Sequence, residues 1–405
     1  IIDSAINYKE ISSFAKLIHE FSLTSNEGVV LMCLAEALLR IPDAATINDL
    51  IEDKIPIGDW NKHIKNENDV FVNISSIAFL LTGKIVEEKP QENKNILVKM
   101  VKNLSGPLLR NAIKQAINIL AKQFVFERDI KKAIKQSDNK KNDKYTFSFD
   151  MLGEAAVTYE DSERYYSQYE EAILQTGKSL NPHKKSISIK LSSLHPRYER
   201  NKFDLLKKEL LPKIFKLVEL GRENKVDICI DAEEADRLNL SLFMFKDIIE
   251  SKLIDNVYHG FGFAIQAYQK RTFFLLDWLN NYLHSVDKKI NIRLVKGAYW
   301  DTEIKIAQEE GFENYPVFTK KFATDISYLA CAHKLLVNKN IFSQFATHNA
   351  HSISYIHTLF KNTNFEFQKL HGMGDEIYSF LENKPDFKCR VYAPVGGYKD
   401  LLPYL

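Results

Sequence analysis

Ser186-Ile187-Ser188-Ile189-Lys190-Leu191 alternates small polar and branched apolar side chains and then closes on a lysine. Alternation with period two marks a strand, with successive side chains on opposite faces. Seven more short β-type runs lie on either side of it: Thr146–Met151, Val226–Asp231, Val257–Ile265, Ile290–Val295, Phe342–Thr347, Phe365–Leu370 and Cys389–Ala393. Segments of helical periodicity separate them. Eight strands separated by helices are the pattern of a (βα)₈ barrel, and the stretch is close to the roughly 250 residues such barrels occupy. The competing α/β architecture is a doubly wound open sheet. No GxGxxG follows the first run, so a Rossmann nucleotide site has no support.

Upstream the texture is helical. Ile11–Phe21 places Phe14, Leu17, Ile18 and Phe21 at helical spacing, and Val29–Leu39 is a second helical stretch, stopped at Pro42. Val70–Leu81 and Pro107–Lys122 read as further helices, with a polar loop over Lys84–Asn95 between them. The polar run Ser137–Lys144 sets the domain boundary. Residues 1–140 are thus an all-helical region and residues 145–405 the barrel.

Composition narrows the function. The 55 basic and 53 acidic residues nearly cancel to +2, so nucleic acid is not expected as a partner. Cys33, Cys229, Cys331 and Cys389 lack CxxC spacing and read as small apolar side chains in a reducing compartment. No apolar run approaches the roughly 20 residues of a membrane span, and no secretory leader opens the sequence. A soluble protein is expected, with surface contact to a membrane left open.

In a barrel, catalytic groups collect where strands end. Those ends carry Asp150 and Glu154, Lys190, Asp231, Glu233 and Glu234, Gln266, Arg293 and Lys296, Thr347 and His348, His371, and Tyr392. A ring of ion pairs capping the barrel would explain several of them, but a cleft lined by Lys, Arg, Asp and Tyr explains more. Lys190 suits two roles, anchor for a substrate carboxylate or Schiff-base amine. A lysine paired with Glu154 or Asp231 fits the first. In Arg293-Leu-Val-Lys-Gly-Ala-Tyr-Trp300, Gly297 and Ala298 keep bulk low for a planar ligand, while Tyr299 and Trp300 offer flat faces. A strand end packed by aromatics explains the segment equally well. His348-x-x-His351 has no third partner in the sequence, so no metal is expected. Neither a phosphate loop nor a GxSxG elbow is present.

These strand ends match a known family in order and in kind. The stretches are Phe149-Asp-Met-Leu-Gly-Glu-Ala-Ala156, Ile187-Ser-Ile-Lys-Leu-Ser-Ser-Leu-His-Pro-Arg-Tyr198, Asp231-Ala-Glu-Glu-Ala-Asp-Arg237, Gly262-Phe-Ala-Ile-Gln-Ala-Tyr-Gln-Lys-Arg271, Arg293–Trp300, Phe345-Ala-Thr-His-Asn349, Leu370-His-Gly-Met-Gly374 and Tyr392-Ala-Pro-Val-Gly396. Over residues 146–405 the sequence resembles the proline dehydrogenase domain of the bacterial proline utilization A family of bifunctional flavoenzymes. The helical first third resembles the arm and helical domain that precede the barrel there.

The resemblance implies a distorted (βα)₈ TIM-type barrel with FAD at the strand C-termini. It implies FAD contacts at Gln266, Arg293, Val295, Lys296, Gly297, Ala298, Tyr299, Trp300, Thr347 and His348. It implies L-proline contacts at Lys190, Asp231, Leu370, Tyr392 and Glu154, with Lys190, Asp231, Arg293 and Tyr392 as the catalytic set. Lys190 becomes the carboxylate anchor, and Tyr392 disfavours hydroxylated analogues. The implied reaction moves hydride from proline C5 to flavin N5, the first step of proline catabolism. Electrons pass to a membrane quinone, which implies a cytoplasmic protein with peripheral association to the inner membrane. The sequence stops at Leu401–Leu405, before the family's last barrel helix and its paired arginines. A C-terminal aldehyde dehydrogenase domain is expected in the native protein, and the N-terminal DNA-binding module of some members is not. Two alternatives stay open: a binding-impaired flavin-binding fragment, and a Schiff-base barrel lyase using Lys190.

Overall fold

A computed structural model of the protein describes Thr46 and residues 124–397, apart from 182–184, 256–257, 361–362, 383 and 385–386. The helices expected over Ile11–Phe21, Val29–Leu39, Val70–Leu81 and Pro107–Lys122 lie outside the described residues, as do Cys33 and Leu401–Leu405. Tyr8–Gln123 form one compact unit and Phe124–Leu405 belong to another.

The barrel strands are β1 (Tyr145–Met151), β2 (Lys185–Ile189), β3 (Asp227–Ile230), β4 (Phe261–Gln266), β5 (Ile290–Val295), β6 (Ile341–Ala346), β7 (Phe365–Leu370) and β8 (Cys389–Val395). They form a closed barrel in sequence order, each parallel to its neighbours, with β8 pairing back onto β1. The helices are α1 (Ile130–Ser137), α2 (Tyr159–Gly177), α3 (Phe203–Glu209), α4 (Leu211–Asn224), α5 (Leu238–Ile249), α6 (Thr272–Val286), α7 (Trp300–Glu309), α8 (Lys321–Leu336), α9 (Ala350–Leu359) and α10 (Asp375–Leu381).

Each run read from the sequence overlaps a strand, with ends shifted by up to a few residues. The largest shift is at β4, expected from Val257. Tyr258 is buried there as a packing residue outside the strand, and pairing with Ile228 begins only at Phe261. The polar run after Ser137 is short: Lys140–Asn142 make one 3₁₀ turn before β1.

Alternation along the strands explains where the core sits. Phe147, Phe149, Ile187, Ile189, Ile228 and Ile230 join one apolar cluster with helix residues such as Tyr169, Ile173, Leu217 and Phe245. Ser148, Ser188 and Arg293, on β1, β2 and β5, hydrogen-bond to one another, so the intervening set of side chains faces the lumen. Barrels of this class usually fill the lumen with branched apolar residues. Here much of it is polar. Its floor is built on Arg390, whose Nε donates to Glu366 at 2.6 Å and whose Nη1 donates to the Phe147 carbonyl at 3.1 Å and Ser186 Oγ at 3.2 Å. Gln344 Nε2 adds a bond to Glu366 at 2.9 Å. At the start of β3, burial pushes the Asp227 carboxyl up to about 7.

Local signals place the helices that support the mouth. Thr158 and Asp161 form a reciprocal capping box at the start of α2. That helix buries Tyr169, Ala172, Ile173 and Thr176, the spacing of a single helical face. Tyr169 Oη accepts from the Lys190 backbone N–H at 3.2 Å and from Ser193 Oγ at 3.3 Å, fixing the end of β2. Asp129 caps α1, which places Ile130, Ala133 and Ile134 in the core.

Candidate active site

At the C-terminal end of the lumen, side chains from β1, β2, β3, β5 and β8 meet. Asp231 Oδ1 accepts from Arg293 Nη1, and its Oδ2 accepts from Tyr392 Oη at 2.6 Å. Arg293 Nη2 donates to Ser148 Oγ and Ser188 Oγ, both at 3.0 Å. Its guanidinium also lies 5.1 Å from the Tyr392 ring centre. Lys190 Nζ lies 2.6 Å from Asp150 Oδ1 and 3.8 Å from Asp231 Oδ2. Burial works to lower the Lys190 pKa, but the charges of Asp150 and Asp231 outweigh it and hold it well above the ordinary value. Lys190 is therefore an ammonium at neutral pH. Lys190, Asp231, Arg293 and Tyr392 form one bonded group, joined by Asp150, Ser148 and Ser188.

The sequence reading paired Lys190 with Glu154 or Asp231. The nearer partner is Asp150, because residues 150 and 190 both face the lumen on adjacent strands. Glu154 instead accepts from Tyr299 Oη at 3.3 Å, and burial raises its pKa.

A second group lines the β4–β5 shoulder. Gln266 bridges two loops: its Nε2 donates to the Glu233 carbonyl at 2.8 Å, and its Oε1 accepts from Ala298 N–H at 3.2 Å. The Val295 carbonyl accepts from Ala267 N–H at 2.8 Å. Gly297 has φ +141°, and a Cβ there would lie 2.4 Å from the Tyr268 ring. The sequence reading gave this glycine to an approaching ligand; Tyr268 makes a closer demand on the same space. Tyr268 Oη accepts from the Tyr299 backbone N–H at 3.3 Å. Lys296 turns away from the lumen to Asp325 on α8. Trp300 opens α7, with Nε1 bonded to the Phe318 carbonyl at 2.9 Å and its ring partly exposed.

Thr347 and His348 follow β6. Thr347 Oγ1 accepts from Asn349 N–H at 3.1 Å. His348 Nε2 accepts from Leu370 N–H at 3.0 Å, tying the β6 loop to the end of β7. Burial pushes the His348 and His371 pKa values down to about 4, so both rings are neutral at physiological pH.

Ser148, Ser188 and Tyr268 were missed as site residues. Ser148 and Ser188 do sit at alternate lumen-facing positions of the runs that end at Asp150 and Lys190, which is the signal that could have found them. Tyr268 lies beyond its strand, and no pattern in the sequence marks it.

FAD can be tested against this donor set. The Arg293 Nε–H is buried and makes no hydrogen bond among the described residues. An unpaired buried donor is costly and calls for an acceptor. The flat faces of Tyr299 and Trp300 follow on the same segment. A planar ring with acceptor nitrogens fits that combination, and FAD has one.

A sequence profile described as proline dehydrogenase matches residues 133–405. A second, described as the DNA-binding domain of proline dehydrogenase, matches residues 13–124, of which only Thr46 and Phe124 are described. The chain is 45% identical over 405 residues to bifunctional protein PutA of Klebsiella aerogenes, covering 96% of this chain and 31% of that relative. For bifunctional protein PutA of Escherichia coli K12 the values are 44%, 96% and 30%. Proline dehydrogenase 2 of Bacillus subtilis is 30% identical over 225 residues, covering 54% of this chain and 62% of the relative. A crystal structure of bifunctional proline utilization A matches with a TM-score of 0.72 at 40% identity, over 99% of this chain and 41% of that one. The chain spans about a third of the length of the PutA relatives it matches.

Proposed function

The chain belongs to the proline dehydrogenase family, and from that premise we propose that it oxidises L-proline to Δ1-pyrroline-5-carboxylate with FAD, the first step of proline catabolism. The observation that carries this reading is the convergence of Lys190, Arg293 and Tyr392 on two buried aspartates, Asp150 and Asp231, at the strand C-termini.

Lys190 offers a charged ammonium to the proline carboxylate. Asp231, fixed by Arg293 and Tyr392, lies beside the substrate, and Leu370 and Tyr392 pack the pyrrolidine ring and exclude water. Glu154, held by Tyr299, closes the substrate side. Gln266, Arg293, Val295, Lys296, Gly297, Ala298, Tyr299, Trp300, Thr347 and His348 would hold FAD. FAD would supply the electron-accepting chemistry for the hydride that leaves proline C5 while the ring nitrogen is neutral. The protein contributes orientation and fixed charge. A membrane quinone takes the electrons. That places the protein in the cytoplasm with peripheral contact to the inner membrane; no helix among the described residues is long and apolar enough to cross one. The bifunctional relatives support a native protein that also carries an aldehyde dehydrogenase domain.

The Schiff-base lyase is disfavoured, because that chemistry needs a neutral amine and Lys190 is held charged between carboxylates. Proline-dependent reduction of a soluble quinone by the FAD-loaded chain, with Δ1-pyrroline-5-carboxylate as product, tests the proposal. Borohydride trapping of a keto substrate on Lys190, without quinone reduction, would replace it with the lyase.

A further inference from the structure

Asp150 is the carboxylate nearest the Lys190 ammonium, at 2.6 Å. Its side chain is fully buried on β1, its Oδ1 accepts from Lys190, and Tyr392 is its other polar neighbour; burial pushes its pKa up and the Lys190 charge opposes that. Asp231, the other carboxylate near Lys190, is already committed, with one oxygen to Arg293 and the other to Tyr392. We propose that Asp150 is a positioning residue that keeps the Lys190 ammonium charged and aimed, and thereby sets the affinity of the site for a substrate carboxylate. This inference rests on the reading of Lys190 as the carboxylate anchor.

The groups that face Lys190 bear out that division of labour. They are Asp150 from β1, Glu154 from the loop after it, Tyr169 from α2, Asp231 from β3 and Tyr299 from the segment after β5. Arg293 adjoins it through its bond to Asp231, and Tyr392 through both Asp231 and Asp150. Without the Asp150 charge, a buried lysine and a buried arginine would share Asp231, with Glu154 as the remaining carboxylate in the group. Burial disfavours the ammonium, and an opposite charge within about 4–6 Å is what restores it. A neutral amine would still fill the space but would offer a carboxylate no counter-charge. Asp150 acts on the substrate only through Lys190.

The test is calorimetric titration of the FAD-loaded chain with cyclopentanecarboxylate, a ring acid without an amine, ionised throughout the neutral and alkaline range. Wild-type affinity should stay flat across that range. In Asp150→Asn the Lys190 pKa should fall, because the charge that opposes burial is gone. The sign follows: the ammonium is present below that pKa and lost above it. Affinity in the variant should therefore approach wild type at the acidic end and drop about tenfold per pH unit beyond the new pKa. Asp150→Glu should restore the flat profile, and Asp150→Ser carries the same expectation as Asn should Asn fail to fold. At saturating proline, kcat should change far less than KM.

A variant profile superimposed on wild type, a loss equal at every pH, or tighter binding would each overturn the proposal. Lys190→Met separates the two levels. If it leaves cyclopentanecarboxylate affinity intact, the anchor reading itself fails. If it weakens binding while Asp150→Asn matches wild type, only the role of Asp150 is lost.

Discussion

Arg293 and Lys190 carry similar charge in the same lumen, yet their surroundings give them different work. The planar guanidinium reaches Asp231, Ser148 and Ser188 together, which a single ammonium cannot do. Arg293→Lys should therefore cut turnover by about 100-fold, the usual scale for losing an oriented donor. Far-ultraviolet circular dichroism should be unchanged; a variant with wild-type turnover would show that charge alone suffices. Both residues are legible in the sequence because charge at a strand end is unusual. The identity of the Lys190 partner is not: the sequence offers Glu154 or Asp231, and Asp150 becomes the nearer one only when the strands close and register decides.

The junction between β5 and α7 depends on a positive backbone angle. Gly297 takes φ +141°, and the Tyr268 ring fills the space a side chain would need. Gly297→Ala should destabilise the barrel by about 2 kcal/mol or more, from backbone strain plus overpacking. The melting temperature should fall by roughly 4 °C or more, given about 2–4 °C per kcal/mol for a domain of this size. Replacing Tyr268 with Leu in the same chain should recover part of the loss, because the two positions touch.

The barrel floor makes a separate prediction about pH. Asp227 has its pKa pushed up to about 7 by burial, so the folded state holds a proton that the unfolded chain gives up near 4. Its stabilising contribution is complete below the unfolded pKa and is lost as pH rises towards 7. Asp227→Asn should thus stabilise the protein at pH 8 relative to pH 5, by about 1–2 kcal/mol after allowance for its partial exposure. Equal effects at both pH values in denaturant titration would show an ordinary carboxylate. Strand positions were readable from alternation, but the polar floor was not. Arg390, Glu366 and Asp227 look like surface residues until the sheet closes and brings them to one level.

At the scale of the whole molecule, the order of strands and helices was the clearest feature of the sequence. Short β-type runs separated by helical stretches leave few α/β architectures, and the absence of a GxGxxG removes the main rival. The strands' ends shift by a residue or more because pairing and turns decide them, as at Phe261 and Leu191. Charge balance gave no cue for the DNA-binding description that matches residues 13–124. Net charge reports the whole chain, whereas such a function depends on local placement.

The central claim is that the lumen's polar mouth binds FAD and passes it hydride from L-proline. The visible spectrum of the purified, FAD-loaded chain, before and after anaerobic L-proline, tests this most directly. The account predicts a yellow protein that bleaches with proline and hardly responds to hydroxyproline. A chain that takes up no FAD, or one that stays yellow with saturating proline, would contradict it.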